Sequence, residues 1–398
     1  MTMLTRGRLL RRLAEAVLAL GATALVWRSR LMQVATFAAA AALRGQYRGR
    51  ASKGPASQSA EWLAIRNPPV VTVPLNPLIL VTYHPEYHGY DPRQTTAGLL
   101  AAKQLGTGWI RTDIRWREVL PDGARADSRA LAWYRAFLST ASAHGFKTAV
   151  VLSTPPDEVL RQPERHRLES WRRFIEVVAT ELATHCGICQ LMNEPNNLVY
   201  AFFSRPAAAI ALTEGASIIR SANPEAKIAI NVSMEYWGWK GFLTELLQRS
   251  GRAVDIVGLD HYPGTWTIGM QAKWAEITQL SDIIASAGMD SPWFNRHLMV
   301  METGFSTNAL MRNEDRQSEY FDHLMRSAIF LKGKSAADAP VFGIYELCDG
   351  DSSACLDPEA HFGLLTSDLL PKKAFASVKA CIALDSAANL KGTTHAIE

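Results

Sequence analysis

The pattern of apolar and polar residues changes at about residue 74. From there on, short apolar runs alternate with longer segments whose apolar residues recur at helical spacing, which is typical of strands followed by amphipathic helices. The runs that predict strands are 78–83, 108–113, 147–153, 189–193, 227–232, 256–260, 298–302 and 341–346. The segments that predict helices are 95–105, 130–144, 167–185, 206–222, 240–249, 274–287, 318–331 and 373–384.

This alternation predicts an α/β protein with parallel strands and crossover helices. Eight such units fit a closed (β/α)8 TIM barrel, which we place at 74–390. A doubly wound sheet is the structural alternative, and it would be expected to carry a glycine-rich phosphate turn after an early strand. Neither G-x-G-x-x-G nor G-x-x-x-x-G-K-S/T occurs in the chain, so the barrel is favoured.

The first 45 residues differ in composition from the rest. A basic start leads into an apolar run at 13–27, and a second apolar run follows at 31–43. Neither run reaches the roughly 20 residues that span a bilayer cleanly. The segment fits a secretory signal, an uncleaved signal anchor with snorkelling arginines, or an amphipathic helix on a membrane or on the domain. Export or anchoring is favoured, to the periplasm, the inner membrane or the outside, with a linker at 46–73.

Charge and cysteine content add little to this picture. The net charge of +4 comes largely from N-terminal arginines, so the rest of the chain gives no general case for binding nucleic acid. Cys186 and Cys189 form a C-x-x-C pair, but a metal site would need about two more soft ligands at matching spacing. We interpret the pair as packing or an incidental disulfide. Cys348 and Cys355 could close a loop in an oxidising compartment.

Polar and aromatic residues stand where the predicted strands meet their loops. The C-terminal ends of the strands build the active site of a barrel, so these side chains should converge. A carboxylate directly after the apolar run 298–301 is more than ordinary loop polarity. The residues in question are Arg111, Asp113 and Trp116 after strand 2, Asn193 and Glu194 after strand 4, Asp260, His261, Tyr262 and Trp266 after strand 6, Glu302 after strand 7, and Tyr345 and Glu346 after strand 8.

Two carboxyl groups at one barrel mouth suit the cleavage of a glycosidic bond. One carboxyl group protonates the leaving oxygen, and the other stabilises or traps the oxocarbenium-like centre. Glu194 and Glu302 should face each other across the mouth; about 5 Å between them would give retention and about 6.5–9.5 Å inversion. Arg111 and Tyr262 are suited to stabilising a Glu302 carboxylate. Asn193 can hydrogen-bond a sugar 2-hydroxyl.

Five motifs carry a family resemblance, over most of residues 76–376. The segments 108–113, 191–196, 258–263, 301–304 and 361–364 resemble those of clan A glycoside hydrolases, especially family 39 and the family 5 cellulase-like enzymes. The resemblance implies that Glu194 is the acid/base and Glu302 the nucleophile. It also implies that Arg111 and Tyr262 support the nucleophile and that His261 lines the site.

One feature departs from the family pattern. Many clan A enzymes have a tryptophan after strand 8, whereas this chain has Tyr345 and a further carboxylate, Glu346. Tyr345 could still stack on a sugar, in a subsite shaped for an unusual one. The tryptophans that follow strand ends are candidates for further sugar subsites: Trp116, Trp237, Trp239 and Trp266.

The sequence therefore predicts a retaining glycoside hydrolase that acts on a β-linked polysaccharide or oligosaccharide. A non-catalytic carbohydrate-binding barrel and a transglycosidase with the same residues remain alternatives. His84 and His88 flank Glu86, which is a weak metal pattern, and we predict neither a metal nor another cofactor. The predicted partner is a carbohydrate, with membrane contact through residues 1–45 left open and no nucleic acid.

Overall fold

The chain folds into a closed barrel of eight parallel strands in sequential order. A computed structural model describes residues 73–266, 297–308, 313–328, 339–350 and 357–394. The strands are β1 (Asn76–Thr82), β2 (Thr107–Arg115), β3 (Lys147–Ser153), β4 (Ile188–Leu191), β5 (Lys227–Ser233), β6 (Ile256–Asp260), β7 (His297–Thr303) and β8 (Phe342–Ile344). The predicted TIM barrel is thus confirmed. Strands β4 and β8 end earlier than predicted, so Asn193 and Glu346 lie in the loops that follow them.

The helices lie between the strands, as the sequence pattern predicts. Side chains of Asp91, Asp127 and Ser204 cap the first turns of three of them, which satisfies backbone N–H groups that have no partner inside the helix. The α-helices of the described residues are α1 (Pro92–Leu105), α2 (Trp116–Val119), α3 (Ser128–Ala143), α4 (Asp157–Leu160), α5 (Glu164–Glu181), α6 (Arg205–Ala222), α7 (Trp239–Ser250), α8 (Glu314–Ala328) and α9 (Lys373–Thr394). In the described part of the chain, none of the helices is long and apolar enough to cross a membrane.

Some predictions fall on residues outside the described ranges. These are the N-terminal segment 1–45, nearly all of the linker at 46–73, the helix at 274–287 and Cys355. Cys186 and Cys189 are free thiols buried in the main hydrophobic core, which agrees with the packing interpretation.

Alternate residues of each strand point into and out of the barrel, because successive side chains of a strand face opposite ways. The outward residues pack under the helices in the large hydrophobic core. The inward residues near the strand starts form a second apolar cluster inside the barrel. Its members are Leu80, Trp109, Ala149, Ile188, Ala229, Ile256, Met299, Met301 and Ala339. Two residues further along, Arg111, Gln190 and Asn231 form a polar layer above this apolar floor.

A β-bulge in β7 sets the direction of Glu302. Leu259 pairs with Val300, but the next residue, Asp260, pairs with Glu302 rather than with Met301. The extra residue interrupts the alternation that would otherwise turn Glu302 away from the interior, since Met299 and Met301 already fill the inner cluster. Glu302 therefore faces the barrel mouth.

Close backbone approach between β7 and β8 predicts a large cost for a side chain at Gly343. A Cβ atom there would lie 1.9 Å from the carbonyl oxygen of Met301, which cannot move aside without breaking the strand pairing. We expect Gly343→Ala to lower the free energy of unfolding by about 3 kcal/mol or more, measured by urea denaturation. Gly241→Ala in α7 is the control: nothing lies within 4 Å of its Cβ position. It should be neutral or stabilising by up to about 1 kcal/mol, and similar losses in both variants would contradict the prediction.

Candidate active site

Glu302 is held on both carboxylate oxygens by groups that favour its charge. Arg111 Nη2 lies 2.5 Å from Oε1, and the Tyr262 hydroxyl donates to Oε2 at 2.5 Å. Burial opposes the charge of Arg111, but Glu302 together with Asp260 and Asp113 outweighs burial and raises the pKa of the guanidinium. Burial, and then the charge of Glu302, raise the pKa of Tyr262 well above its ordinary value, so the phenol remains a proton donor. The two predicted partners of Glu302 are therefore in place.

Glu194 lies in a tight turn directly after β4. Its φ angle is 40° and that of Met192 is 69°, a left-handed conformation that side chains other than glycine rarely adopt and that concentrates at functional sites. The backbone N–H of Glu194 donates to Asn231 Oδ1 at 2.8 Å, and Asn197 Nδ2 donates to Glu194 Oε2 at 2.6 Å. The turn is thus fixed from β5 and from its own loop, and Glu194 is only 5% exposed.

A layer of amides joins the two glutamates. Gln190 Oε1 accepts from Arg111 Nε at 3.0 Å, and Asn193 Oδ1 accepts from Arg111, Gln190 and Asn231 at 3.3, 3.0 and 2.8 Å. The Asn193 carbonyl oxygen is thereby occupied within the protein. A sugar hydroxyl oxygen would instead accept a hydrogen bond from Asn193 Nδ2.

Asp260 lies beneath both glutamates at the end of β6 and is fully buried. Asn231 Nδ2 donates to its Oδ2 at 2.5 Å. Burial, then the negative charges of Glu302 and Glu194, raise the pKa of Asp260 well above its ordinary value. The two glutamates and burial thus disfavour a further negative charge on Asp260.

The raised pKa of Asp260 predicts a pH-dependent difference in stability from Asp260→Asn. A raised native pKa means that the native state binds more protons than the unfolded state. The contribution of Asp260 to the free energy of unfolding is therefore full below its unfolded pKa and is lost as the pH rises towards its folded pKa. The asparagine variant keeps the shape but cannot ionise. The free energy of unfolding of the variant, relative to that of the native chain, should rise by up to about 1.4 kcal/mol per pH unit above pH 4. Parallel curves from urea denaturation between pH 4 and pH 8 would contradict the prediction.

His261 and an aromatic wall complete the predicted set on this side. His261 Nδ1 and the Tyr262 backbone N–H both meet Glu235 Oε1, each at 2.8 Å, which orients the strand end. The ring centroids of Tyr262 and Tyr345 are 5.8 Å apart and nearly perpendicular, and Phe362 packs on both. Trp266 is half-buried with its ring 6.2 Å from Phe362, so it extends the wall.

Two of the four tryptophans predicted as sugar subsites are core residues. Trp116 is fully buried and stacks on Phe174 at 5.5 Å, because α2 turns its ring under the barrel mouth and into the helical layer. Trp116 was predicted as a substrate-binding residue, but its ring offers no exposed face to a sugar in this structure. Trp239 is also buried, whereas Trp237 is 86% exposed.

Several charged residues meet at another part of the mouth, in β2 and in the loops after β1 and β8. His84 Nδ1 contacts Glu86 Oε1 at 3.1 Å, and Arg115 forms a short ion pair with the same oxygen. Burial raises the pKa of Glu86, but Arg115 and His84 outweigh it and lower the pKa to about 2. A ring nitrogen of His84 and one carboxylate oxygen each from Glu86 and Asp113 all lie within 4.8 Å of one another. His88, also part of the weak metal pattern, contacts Cys348 Sγ at 3.3 Å instead.

Sequence reasoning missed the residues that connect the predicted ones. Gln190 and Asn231 each interrupt an apolar strand at an inward position, and that single polar residue was the available signal. Glu235 and Asn197 lie in loops, where polar residues are ordinary and carry no such signal. Arg115 follows Arg111 and the predicted Asp113 at alternate positions of β2 and so shares their face.

Comparison with known proteins shows the fold. No protein-family model and no curated protein sequence matches the chain. A family 39 glycoside hydrolase from Bacteroides cellulosilyticus WH2 aligns at 18% identity and a TM-score of 0.60, over 80% of this chain and 65% of its own. The exo-beta-1,4-mannosidase Op5Man5 from Opitutaceae bacterium strain TAV5 aligns at 15% identity and 0.59, over 79% and 59%. GH5_18 from Streptomyces cattleya, in complex with GlcNAc, aligns at 16% identity and 0.63, over 78% and 80%.

The chain spans less than two thirds of the length of the first two of these proteins. At such identities the likeness is one of fold, and it fits the resemblance drawn from the sequence motifs. The chain therefore has the (β/α)8 barrel fold that its glycoside hydrolase neighbours of clan A share.

Proposed function

We propose that the protein is a retaining glycoside hydrolase that cleaves a β-linked polysaccharide or oligosaccharide by double displacement. The observation that carries the proposal is the Glu302 carboxylate, which is held between Arg111 and Tyr262 at 2.5 Å each. Glu194 faces the same mouth from the end of β4. The glycoside hydrolase folds of the structural neighbours support a carbohydrate substrate.

In the first step, Glu302 attacks the anomeric carbon while Glu194 gives its proton to the leaving oxygen. Arg111 and Tyr262 orient the carboxylate, so that one oxygen can form the bond while both donors remain with the group. In the second step, Glu194 takes a proton from water while the water oxygen attacks the anomeric carbon and displaces Glu302, so the sugar leaves with its original configuration. Tyr345 and Trp266 offer aromatic faces to the sugar ring.

Product analysis by proton NMR tests the proposal. An aryl β-glycoside that is cleaved should first release the β-anomer, and mutarotation should follow. Initial release of the α-anomer would show inversion and overturn the double displacement. High acceptor concentration should leave free sugar as the main product; mainly transfer products would identify a transglycosidase. Carbohydrate binding without turnover on a broad panel of glycans would favour the non-catalytic alternative.

We also propose that residues 1–45 export or anchor the protein and are dispensable for catalysis. The barrel begins with residues 73–75, where the side chain of Leu75 packs on the core, and the Asn76 N–H donates to the Gly106 carbonyl oxygen at 2.8 Å. A chain that starts near residue 60 retains these contacts. It should fold and keep the kcat/KM of the full chain within about twofold. An insoluble or inactive product would show that the N-terminal segment belongs to the barrel.

A further inference from the structure

The second charged group at the barrel mouth, which we call the acidic mouth cluster, is not used by the proposed reaction. It comprises the carboxylates of Glu86, Asp113, Glu346 and Glu359 with the cations His84 and Arg115. Its residues come from the loops after β1 and β8 and from β2 itself. The cluster therefore shares strand β2 with Arg111.

Glu346 is only weakly held within this cluster, by a long ion-pair contact with His84. It is 1% exposed, and neither of its oxygens has a partner in hydrogen-bond geometry in the described ranges, although the Tyr87 hydroxyl is close enough to lower its pKa. His84 Nε2 faces it at 3.6 Å, beyond hydrogen-bond distance, and also lacks a partner there. Burial, then Glu359, Asp349 and Glu86, raise the pKa of Glu346 well above its ordinary value. A buried carboxylate in such a place costs free energy unless a ligand compensates it.

Arg115, the guanidinium of the cluster, is already engaged, and so is Lys372 beside it. Arg115 pairs with Glu86 and reaches Glu118 at 3.7 Å, and Lys372 holds Asp349 at 2.7 Å. Asp113 makes no ion pair within 4.0 Å to any described residue, and burial, the largest cause, raises its pKa as well. Neutral hydroxyls could donate hydrogen bonds to Asp113 and Glu346, but only a cationic group would also offset their charge.

The cluster is continuous with the site around Glu302. Asp113 lies two residues beyond Arg111 on one face of β2. The Tyr345 ring lies between Tyr262 and His84, with centroid distances of 5.8 Å to each. A ligand that contacts Tyr345 from the mouth is thus close to both Glu302 and Glu346.

We propose that the acidic mouth cluster binds the ammonium group of an amino sugar, so that the substrate is a β-linked glycan containing hexosamine units with free amines. This inference rests on the proposed function. An ammonium group donates three hydrogen bonds and carries one charge, which suits the Asp113 and Glu346 carboxylates, since neither has an ion pair shorter than 3.6 Å to a described residue. A divalent metal ion fits less well, because the Arg115 guanidinium already occupies Glu86, one of the three metal-ligand candidates.

Binding measurements on the full chain test the proposal with sugars that differ only at the amine. The probes are the methyl β-glycosides of glucosamine, galactosamine and mannosamine, each beside its neutral parent sugar and its N-acetyl form, with affinities from saturation-transfer NMR. At least one free amine should bind about tenfold tighter than both counterparts. Glu346→Gln and Asp113→Asn should each remove that preference. Asp315→Asn neutralises an exposed carboxylate on α8 and should leave it unchanged.

Three results would overturn the inference. They are equal binding of amine and neutral sugars, a preference that survives both substitutions, and Mn²⁺ binding that the two substitutions abolish while no amine is preferred. Hydrolysis of neutral aryl glycosides, measured in parallel, separates the two proposals. Cleavage with retention but without amine preference would remove this inference alone. Amine preference without cleavage of any glycoside would remove the proposed function and leave the binding site.

Discussion

Glu302→Ala should abolish turnover of every glycoside, by about 10⁴-fold or more, the scale expected when a covalent nucleophile is removed. The carboxylate that attacks the anomeric carbon is lost, and neither Arg111 nor Tyr262 can replace it. Added azide or formate should restore part of the rate, because a small anion fits the space that the carboxylate leaves. The rescued product should have inverted configuration, since only one displacement then occurs. The measurement is kcat with and without the anion, together with the anomer of the azide adduct.

Glu181→Ala is the control for this prediction. Glu181 is partly exposed on α5 and pairs with Arg135 on α3, remote from the strand ends that carry the site. Its loss should change stability by under about 1 kcal/mol and leave kcat unchanged. Full activity of Glu302→Ala would eliminate the nucleophile role. Loss of activity with an unfolded circular dichroism spectrum would instead show that the Arg111–Glu302 pair is required for folding, and Glu302→Gln would then repeat the test with the shape retained.

Glu194→Gln should affect substrates unequally. General acid catalysis contributes about 10²–10⁴-fold, and it matters most when the leaving group is a sugar hydroxyl that needs the proton. A dinitrophenyl leaving group needs little protonation, so its glycoside should still form the covalent intermediate. The second step then lacks its base, and we expect a burst of dinitrophenol followed by slow turnover. The measurement is stopped-flow release of dinitrophenol beside steady-state cleavage of a natural glycan of the same sugar.

The hydrogen bonds of Glu194 make glutamine a suitable replacement. Asn197 Nδ2 donates to Oε2, which the amide oxygen of glutamine can still accept, so the turn after β4 should persist. Equal losses on both substrates, without a burst, would argue that Glu194 binds sugar or maintains structure. The proton donor would then be elsewhere, and Glu346, whose raised pKa suits an acid, is the next residue to replace.

The sequence alone was sufficient for the barrel and for the positions of its chemistry. Strand and helix periodicity are properties of neighbouring residues, so the eight strands could be predicted within a few residues of their observed bounds. The placement of Arg111, Glu194, Tyr262 and Glu302 at the mouth followed from the strand ends, because parallel strands of a barrel open at one face. The same logic could not reveal that the Trp116 ring packs in the core, since position after a strand does not determine which way a ring turns.

Only the tertiary structure decided which groups meet. Simple alternation along β7 would turn Glu302 outward, and the bulge against β6 reverses this through pairing that depends on the register of two distant segments. The contacts of Asn231 with Asn193, Glu194 and Asp260 likewise join three strands. The raised pKa values of Asp260 and Glu346 follow from burial beside other carboxylates. Barrel closure creates that burial, because it removes water from side chains that are far apart in the sequence.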